Sequence, residues 1–172
     1  MQKTIRFNNK VTKLCLAGAL IAMGVVLSTF YIPVGSSKCF PMQHFINVVS
    51  AVLLGPWYAM VNAFVISLLR NLLGIGSVLA FPGSMIGAFL AGLAFEATKK
   101  HRIAILGELL GTGVLGALLA APMAVLILGK DAGFFFFVLP FFLSSFAGSL
   151  IALILFEGSQ LIFILKKKRE SL

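Results

Sequence analysis

The sequence contains few charged residues, and most of those it has are basic. Charged residues make up 11% of the 172 positions, with 14 Lys and Arg against 5 Asp and Glu, whereas hydrophobic residues make up 60%. Soluble domains carry about 25% charged residues, so the composition excludes an ordinary soluble protein. The apolar residues come in long blocks, and about 20 consecutive apolar residues suffice to cross a bilayer. The composition therefore indicates an integral membrane protein.

The scarcity of acidic residues and cysteine also limits the chemistry. The chain has no His-Glu-x-x-His, Gly-x-Ser-x-Gly or Gly-x-x-x-x-Gly-Lys motif, and no pair of acidic motifs that would hold two metal ions. We therefore expect no catalytic residues, no metal site and no ATP hydrolysis by this chain alone. Of the two cysteines, Cys15 begins the first apolar block and Cys39 lies beyond its end. A membrane thickness between them excludes a disulfide.

Most basic residues cluster at places that flank the apolar blocks. Three clusters hold 11 of the 14 Lys and Arg residues: Lys3, Arg6, Lys10 and Lys13; Lys99, Lys100 and Arg102; and Lys166, Lys167, Lys168 and Arg169. Basic residues accumulate on the cytoplasmic side of membrane proteins. Because six crossings place all three clusters on one side, we predict six spans with both termini cytoplasmic. This distribution argues against nucleic-acid binding, whereas contact with anionic lipid headgroups is expected.

The apolar blocks define six predicted spans in a single membrane domain, 1–172. Their approximate bounds are 14–32, 42–54, 57–73, 82–98, 103–128 and 133–165. At about 1.5 Å per residue, span 2 covers only about 20 Å, less than the hydrocarbon core of about 30 Å. We therefore expect span 2 to be short, tilted or extended by the loop before it. The predicted fold is an all-α integral membrane protein, a six-transmembrane-helix bundle.

Polar side chains inside membrane spans are costly and indicate functional sites. On a helical span 2, Gln43 and Asn47 are four residues apart and His44 and Asn47 are three apart, so they share one face. Arg70 and Asn71 lie at the outer end of span 3. Three span ends and two loops thus converge on one outer polar site, and the candidate ligand-binding residues are Lys38, Phe40, Gln43, His44, Asn47, Arg70, Asn71, Phe81 and Ser84.

Each polar candidate also has an explanation that needs no ligand. Arg70 is long enough to extend to the outer headgroups, and Asn71 stands where its helix is expected to end. His44 is equally well explained as a packing histidine, and Lys38 as a solvated loop charge. Asn47 lies inside an apolar helix far from either end, so it is the hardest of these to explain without a ligand.

Two further patterns leave alternatives open. Span 1 carries the small residues Gly18 and Ala22 four positions apart, and small residues let helices approach closely in lipid. Their neighbour is either another helix of the bundle or a partner subunit. In span 5, Glu108 and Thr112 lie four residues apart. We expect them to form a buried polar contact between helices or part of a partner interface, and we do not assign them to substrate.

Several segments resemble a known family of membrane proteins. The segments are Leu-Leu-Gly-Pro-Trp-Tyr-Ala at 53–59, Ile-Pro-Val-Gly at 32–35, Lys-Cys-Phe-Pro-Met-Gln-His at 38–44, Leu-Leu-Arg-Asn-Leu-Leu-Gly at 68–74 and Ala-Phe-Pro-Gly-Ser-Met-Ile-Gly at 80–87. Together with six short spans in 172 residues, they are similar to the substrate-binding S components of energy-coupling factor (ECF) transporters. The likeness is to the ThiW branch and covers residues 10–100 best.

The resemblance implies a multi-pass protein of the bacterial cell membrane that binds hydroxyethylthiazole, the thiazole precursor of thiamine, at the outer face. It also implies partners: a transmembrane coupling subunit, which would contact Gly18, Ala19 and Ala22, and two ATPase subunits that use the ATP. The loop from Lys38 to Pro41 would cap the ligand. An S component for another small vitamin or metabolite, and a structural membrane protein without transport activity, are the alternatives.

Overall fold

A computed structural model describes residues 9–34, 37–129 and 135–170. Lys3, Arg6 and the predicted start of span 6 at position 133 lie outside these residues. In chain order the elements are α1 (Lys10–Leu27), β1 (Ile32–Val34), β2 (Ser37–Cys39), α2 (Pro41–Leu54), α3 (Pro56–Leu72), α4 (Ala80–Thr98), α5 (His101–Leu110), a π-helical stretch (Gly111–Gly116), α6 (Ala117–Leu128) and α7 (Val138–Glu170). Apart from one hairpin, the regular structure in this part of the chain is helical, so the all-α prediction is confirmed.

Proline and glycine determine where α2 and α3 begin and end. Each helix starts with a proline, Pro41 and Pro56, a position where the missing N–H is not needed. Between the two helices Gly55 adopts φ 92°, a conformation that side chains other than glycine rarely take. These signals are visible in the sequence, and both helices begin and end within a residue of the predicted spans.

The end of α1 differs from the prediction. The helix stops at Leu27, whereas the predicted span continues to residue 32. Ser28 and Thr29 turn their hydroxyls back onto the carbonyl oxygens of Gly24 and Val26, and such side-chain bonds compete with the next helical turn. The following residues form the antiparallel hairpin β1–β2, in which Ile32 pairs with Cys39 and Pro33 with Lys38.

The hairpin is attached to the start of α7. The Cys39 thiol donates a hydrogen bond to the carbonyl oxygen of Pro140 at 3.2 Å, and the Phe40 amide donates to Ser144 Oγ at 2.8 Å. The hairpin therefore covers the end of the bundle at which α2 begins and α3 ends. We call this the hairpin end.

The bundle encloses a group of polar side chains within an apolar core, and its exterior is apolar. Large apolar side chains are exposed on its outside, including Leu126, Leu72, Phe135, Phe30 and Trp57, while Arg70 and Glu108 are completely enclosed. Among the described residues, four helical segments are long and apolar enough to cross a membrane: Lys10–Leu27, Ala80–Thr98, His101–Ile127 and Val138–Gln160. This arrangement suits a protein whose surroundings are lipid, so the protein belongs in a membrane.

Glycine allows α4 and the π-helical stretch to touch along their backbones. A Cβ built on Gly116 would lie 2.1 Å from Gly83 Cα, and one built on Gly111 would lie 2.5 Å from Gly87 Cα. The small-residue pattern of these two segments therefore serves packing within the bundle. In contrast, a Cβ on Gly18 of α1 would meet nothing within 4 Å.

Candidate functional site

A chain of hydrogen bonds begins at Arg70, a residue that is 1% exposed. Nη1 of Arg70 donates to Gln43 Oε1, and Gln43 Nε2 donates to Ser67 Oγ at 2.9 Å. Ser67 Oγ lies 3.0 Å from Ser84 Oγ, which donates to the Ala80 carbonyl oxygen at 2.9 Å. Because the proton of Ser84 is used in this way, Ser67 is the donor to Ser84, and every bond of the chain points away from Arg70.

A second group of hydrogen bonds converges on Glu108 of α5, which is 0% exposed. Its Oε1 accepts from Asn47 Nδ2 at 3.1 Å and from Thr112 Oγ1 at 3.0 Å, and it lies 2.9 Å from His44 Nδ1. Asn47 Nδ2 also donates to the Ser84 carbonyl oxygen at 3.2 Å. Asn47 and Ser84 thus join the two groups into one buried network that extends from the cation of Arg70 to the carboxylate of Glu108.

The π-helical stretch begins at Gly111, three residues after Glu108. Thr112, its second residue, lies with Oγ1 3.0 Å from both Glu108 Oε1 and the Gly83 carbonyl oxygen, and its single proton is shared between these two acceptors. A Cβ on Gly87 would lie 2.1 Å from Thr112 Oγ1 and 2.8 Å from Glu108 Oε2. The lack of a side chain at Gly87 therefore makes the room in which Glu108 and Thr112 sit, and short π-helical turns are common at functional sites.

Six of the nine candidate residues belong to or touch the network: Phe40, Gln43, His44, Asn47, Arg70 and Ser84. Phe40 lies next to it, with its ring centroid 3.9 Å from the Arg70 guanidinium carbon. This contact and the burial of Arg70 rule out an extended Arg70 at the headgroups. The His44–Glu108 contact gives His44 a buried polar partner.

The other three candidate residues pair with groups other than the network's side chains. The Lys38 ammonium is 4.5 Å from the centroid of the Tyr31 ring, on the exposed side of the hairpin. Asn71 Nδ2 donates to the Ser67 carbonyl oxygen of its own helix at 2.8 Å. The Phe81 ring packs edge-on against Phe64, with centroids 5.7 Å apart, and Phe64 is itself exposed on the outside of the bundle.

The structure adds three residues that the sequence did not assign to the site: Ser67, Glu108 and Thr112. Ser67 lies three residues before Arg70 on α3, so helical spacing alone places it on the same face. The i, i+4 spacing of Glu108 and Thr112 predicts their contact, and the structure confirms it as buried inside the chain. Complete burial excludes the alternative of a partner interface for Glu108.

Some buried polar atoms of the network have no hydrogen-bond partner among the described residues. They are Arg70 Nε, Arg70 Nη2, Asn47 Oδ1 and Glu108 Oε2. A buried polar group without a partner costs about 1–3 kcal/mol, so water or a ligand is expected to supply the missing bonds. Within the same residues, no group of three or more His, Cys, Asp or Glu is placed to hold a metal ion.

The chain is similar over most of its length to one family of transport proteins. A family model described as "Thiamine-precursor transporter protein (ThiW)" matches residues 14–160. No curated protein matches the chain.

Proposed function

Because the chain belongs to the ThiW family of thiamine-precursor transporter proteins, we propose that it is the substrate-binding S component of an ECF-type transporter and binds hydroxyethylthiazole. It is a transport protein, not an enzyme. The observation that carries the ligand assignment is the set of unpartnered donors and acceptors at Arg70 and Asn47, enclosed in an otherwise apolar bundle.

Hydroxyethylthiazole has the chemistry that such a site selects. It is neutral and aromatic, with a ring nitrogen that accepts a hydrogen bond and a hydroxyl that donates one. Ligand sites for molecules of this kind are mostly apolar, with a few placed polar groups. Phe40, beside Arg70, offers an aromatic surface, and the network offers the polar groups.

The hairpin is the proposed cover of the site. Lys38 and Cys39 belong to β2, and Phe40 leads from the hairpin to Pro41 at the start of α2. Both Cys39 and Phe40 are hydrogen-bonded to α7. The ligand would enter from the outer side of a bacterial cell membrane, with six spans and cytoplasmic termini. Release of the contacts between the hairpin and α7 would open the site.

The proposed partners are a transmembrane coupling subunit and two ATPase subunits. Gly18, Ala19 and Ala22 are exposed on α1, and no atom lies within 4 Å of a Cβ built on Gly18. A surface of small residues allows a partner helix to approach closely in the membrane. Gly18→Leu and Ala22→Leu are expected to abolish co-purification of the coupling and ATPase subunits while ligand binding is unchanged.

Calorimetry on the purified protein tests the ligand. Asn47→Ala is expected to weaken hydroxyethylthiazole binding at least tenfold, which corresponds to about 1.4 kcal/mol. The matched control is Asn62→Ala, because Asn62 is an equally buried amide whose hydrogen bond goes to Ser50 outside the network, at 3.2 Å. Absence of binding to the wild-type protein would overturn the thiazole assignment. A panel of other vitamins and their precursors would then identify the ligand.

A further inference from the structure

Glu108 accepts hydrogen bonds from its neighbours, and this determines which of their polar atoms remain without a partner. Its Oε1 is approached by His44, Asn47 and Thr112, all within 3.1 Å. A carboxylate can only accept, so each of these neighbours has to present a donor to it. The donor that each neighbour uses for Glu108 determines which of its other polar atoms can bind a ligand.

Asn47 is left with an acceptor. Its Nδ2 faces two acceptors, the Ser84 carbonyl oxygen and Glu108 Oε1, so both of its amide protons are used. The flipped amide would place Oδ1 against those two oxygens, which the network does not permit. Oδ1 is the free atom, and it has no partner among the described residues.

His44 is also left with an acceptor when its imidazole is neutral. Nδ1 has to carry the proton that goes to Glu108 Oε1, and the other ring nitrogen then carries none. Nε2 has no hydrogen bond within the described part of the chain. A neutral imidazole also leaves one buried cation, Arg70, and one buried carboxylate, Glu108, in the site. Their charges cancel, which lowers the cost of placing them in lipid.

Arg70 at the other end of the network offers only donors. Nη1 is used by Gln43, and Nε and Nη2 have no partner among the described residues. A guanidinium cannot accept a hydrogen bond. The two ends of the network are therefore opposite in hydrogen-bonding character.

We propose that Glu108 is a positioning residue that gives the site this polarity: Nε2 of His44 and Oδ1 of Asn47 form an acceptor end that receives the ligand's hydroxyl proton, and Arg70 forms a donor end for a ligand acceptor. The inference rests on the proposed function for the identity of the ligand. It adds to that function which end of the ligand each residue recognises, and it assigns Glu108 to substrate selection.

Histidine tautomers test the acceptor end without any ligand. The chain has two histidines, and the polar atoms beside them favour opposite tautomers. His44 is expected to be protonated at Nδ1, whereas His101 Nδ1 faces the amide donor Gln160 Nε2 at 3.1 Å and is expected to be protonated at Nε2. Nitrogen NMR of protein labelled in histidine distinguishes the two states. A His44 protonated at Nε2 in the wild-type protein would overturn the proposal.

Two ligands test the hydroxyl contact. The probes are hydroxyethylthiazole and 5-ethyl-4-methylthiazole, which has a hydrogen in place of the hydroxyl group. Wild-type protein is expected to bind the alcohol at least tenfold more tightly, because the analogue leaves the acceptors unpaired. In Glu108→Leu, which removes the acceptor beside His44 and Asn47, and in His44→Asn, whose amide nitrogen can still donate to Glu108, the preference is expected to fall below about threefold.

The outcomes separate a positioning role from a structural one. Equal losses of affinity for both thiazoles in the two variants would assign Glu108 and His44 to folding only and overturn the proposal. In the expected result the variants lose affinity for the alcohol and keep their affinity for the analogue. If the wild-type protein binds neither thiazole, the ligand assignment is wrong. The histidine spectra alone then test whether His44 Nε2 is an acceptor.

Discussion

Arg70 and Glu108 are a buried cation and a buried carboxylate that do not form an ion pair in the described structure. Arg70 uses one nitrogen for Gln43, and its guanidinium lies over the Phe40 ring at 3.9 Å. Glu108 uses one oxygen for its neighbours. In a direct ion pair, Arg70 and Glu108 would use their polar atoms for each other. Because they are separated, polar atoms of both residues remain available to a ligand.

The two cations near the hairpin differ in their expected effect on binding. Arg70→Lys keeps the charge, but an ammonium lacks the planar set of donors that serves Gln43 and a ligand together. We expect at least a tenfold loss of affinity for hydroxyethylthiazole by calorimetry. Lys38→Ala is expected to change affinity less than about threefold, because a surface charge of this kind contributes about 0–1 kcal/mol. A loss for Lys38→Ala equal to that of Arg70→Lys would show that Lys38 contacts the ligand.

Local spacing explains which parts of the site are predictable from the sequence. His44 and Asn47 share a helix face wherever α2 packs, so their proximity is a property of three or four residues. Which residue packs against that face depends on how α2 and α5 are aligned, and a local sequence pattern does not predict this alignment. The sequence therefore predicts the contact of Glu108 with Thr112 but not the contact of Glu108 with His44.

Among the elements, the π-helical stretch and α4 pack so closely that a side chain added to one would collide with the other. A Cβ on Gly87 would collide with Thr112 Oγ1 and approach Glu108 Oε2, and overpacking of this kind costs about 1–3 kcal/mol. Gly87→Ala is therefore expected to lower the melting temperature in detergent and to weaken ligand binding.

Gly18→Ala is the matched control for that substitution. It also adds a methyl group to a helical glycine, but on the open side of α1. Alanine favours helix over glycine by about 1 kcal/mol, so this variant is expected to be as stable as the wild type or more stable. A Gly87→Ala protein that melts like Gly18→Ala would contradict the close contact between α4 and the π-helical stretch.

The hairpin should protect Cys39 from reagents in water. Burial raises the pKa of the Cys39 thiol, and only the thiolate reacts readily. In a Cys15→Ser protein, we expect maleimide to label Cys39 at least tenfold more slowly than it labels the thiol at position 38 in a control protein. The control carries Cys15→Ser, Lys38→Cys and Cys39→Ser. Because the pKa is raised, labelling of Cys39 should increase at higher pH than labelling of the control. Equal rates would mean that the hairpin does not rest on α7.

The hairpin also shows where prediction of elements from this sequence fails. Apolar blocks bounded by Gly55, Pro56 and other turn residues predict the helices well, because those residues act locally. The stretch after α1 contains Pro33, glycine and serine, which favour a loop. Its strands form because β2 is held to α7 through Cys39 and Pro140, a contact between residues distant in the sequence.

At the scale of the whole molecule, the hairpin end and the turn after α4 should face opposite sides of the membrane. Lys38 precedes α2 and Lys99 follows α4, so three helices separate them. In a protein without Cys15 and Cys39, Lys38→Cys is expected to react with an impermeant maleimide added to intact cells. Lys99→Cys is expected to react only after permeabilisation. Labelling of both from outside would contradict the six-span topology with cytoplasmic termini.

The shape of α2 has a consequence for how the protein is made. All but two of its 14 residues are buried, and among them are Gln43, His44 and Asn47. A helix this short and this polar enters lipid poorly by itself. Its hydrogen-bond partners arrive later in synthesis: Ser67 on α3, Ser84 on α4, Glu108 on α5 and then the start of α7, where Ser144 accepts from Phe40. α2 therefore leaves the ribosome before all the helices that stabilise it in the membrane have been synthesised. A chain truncated ahead of α7 is expected to be degraded.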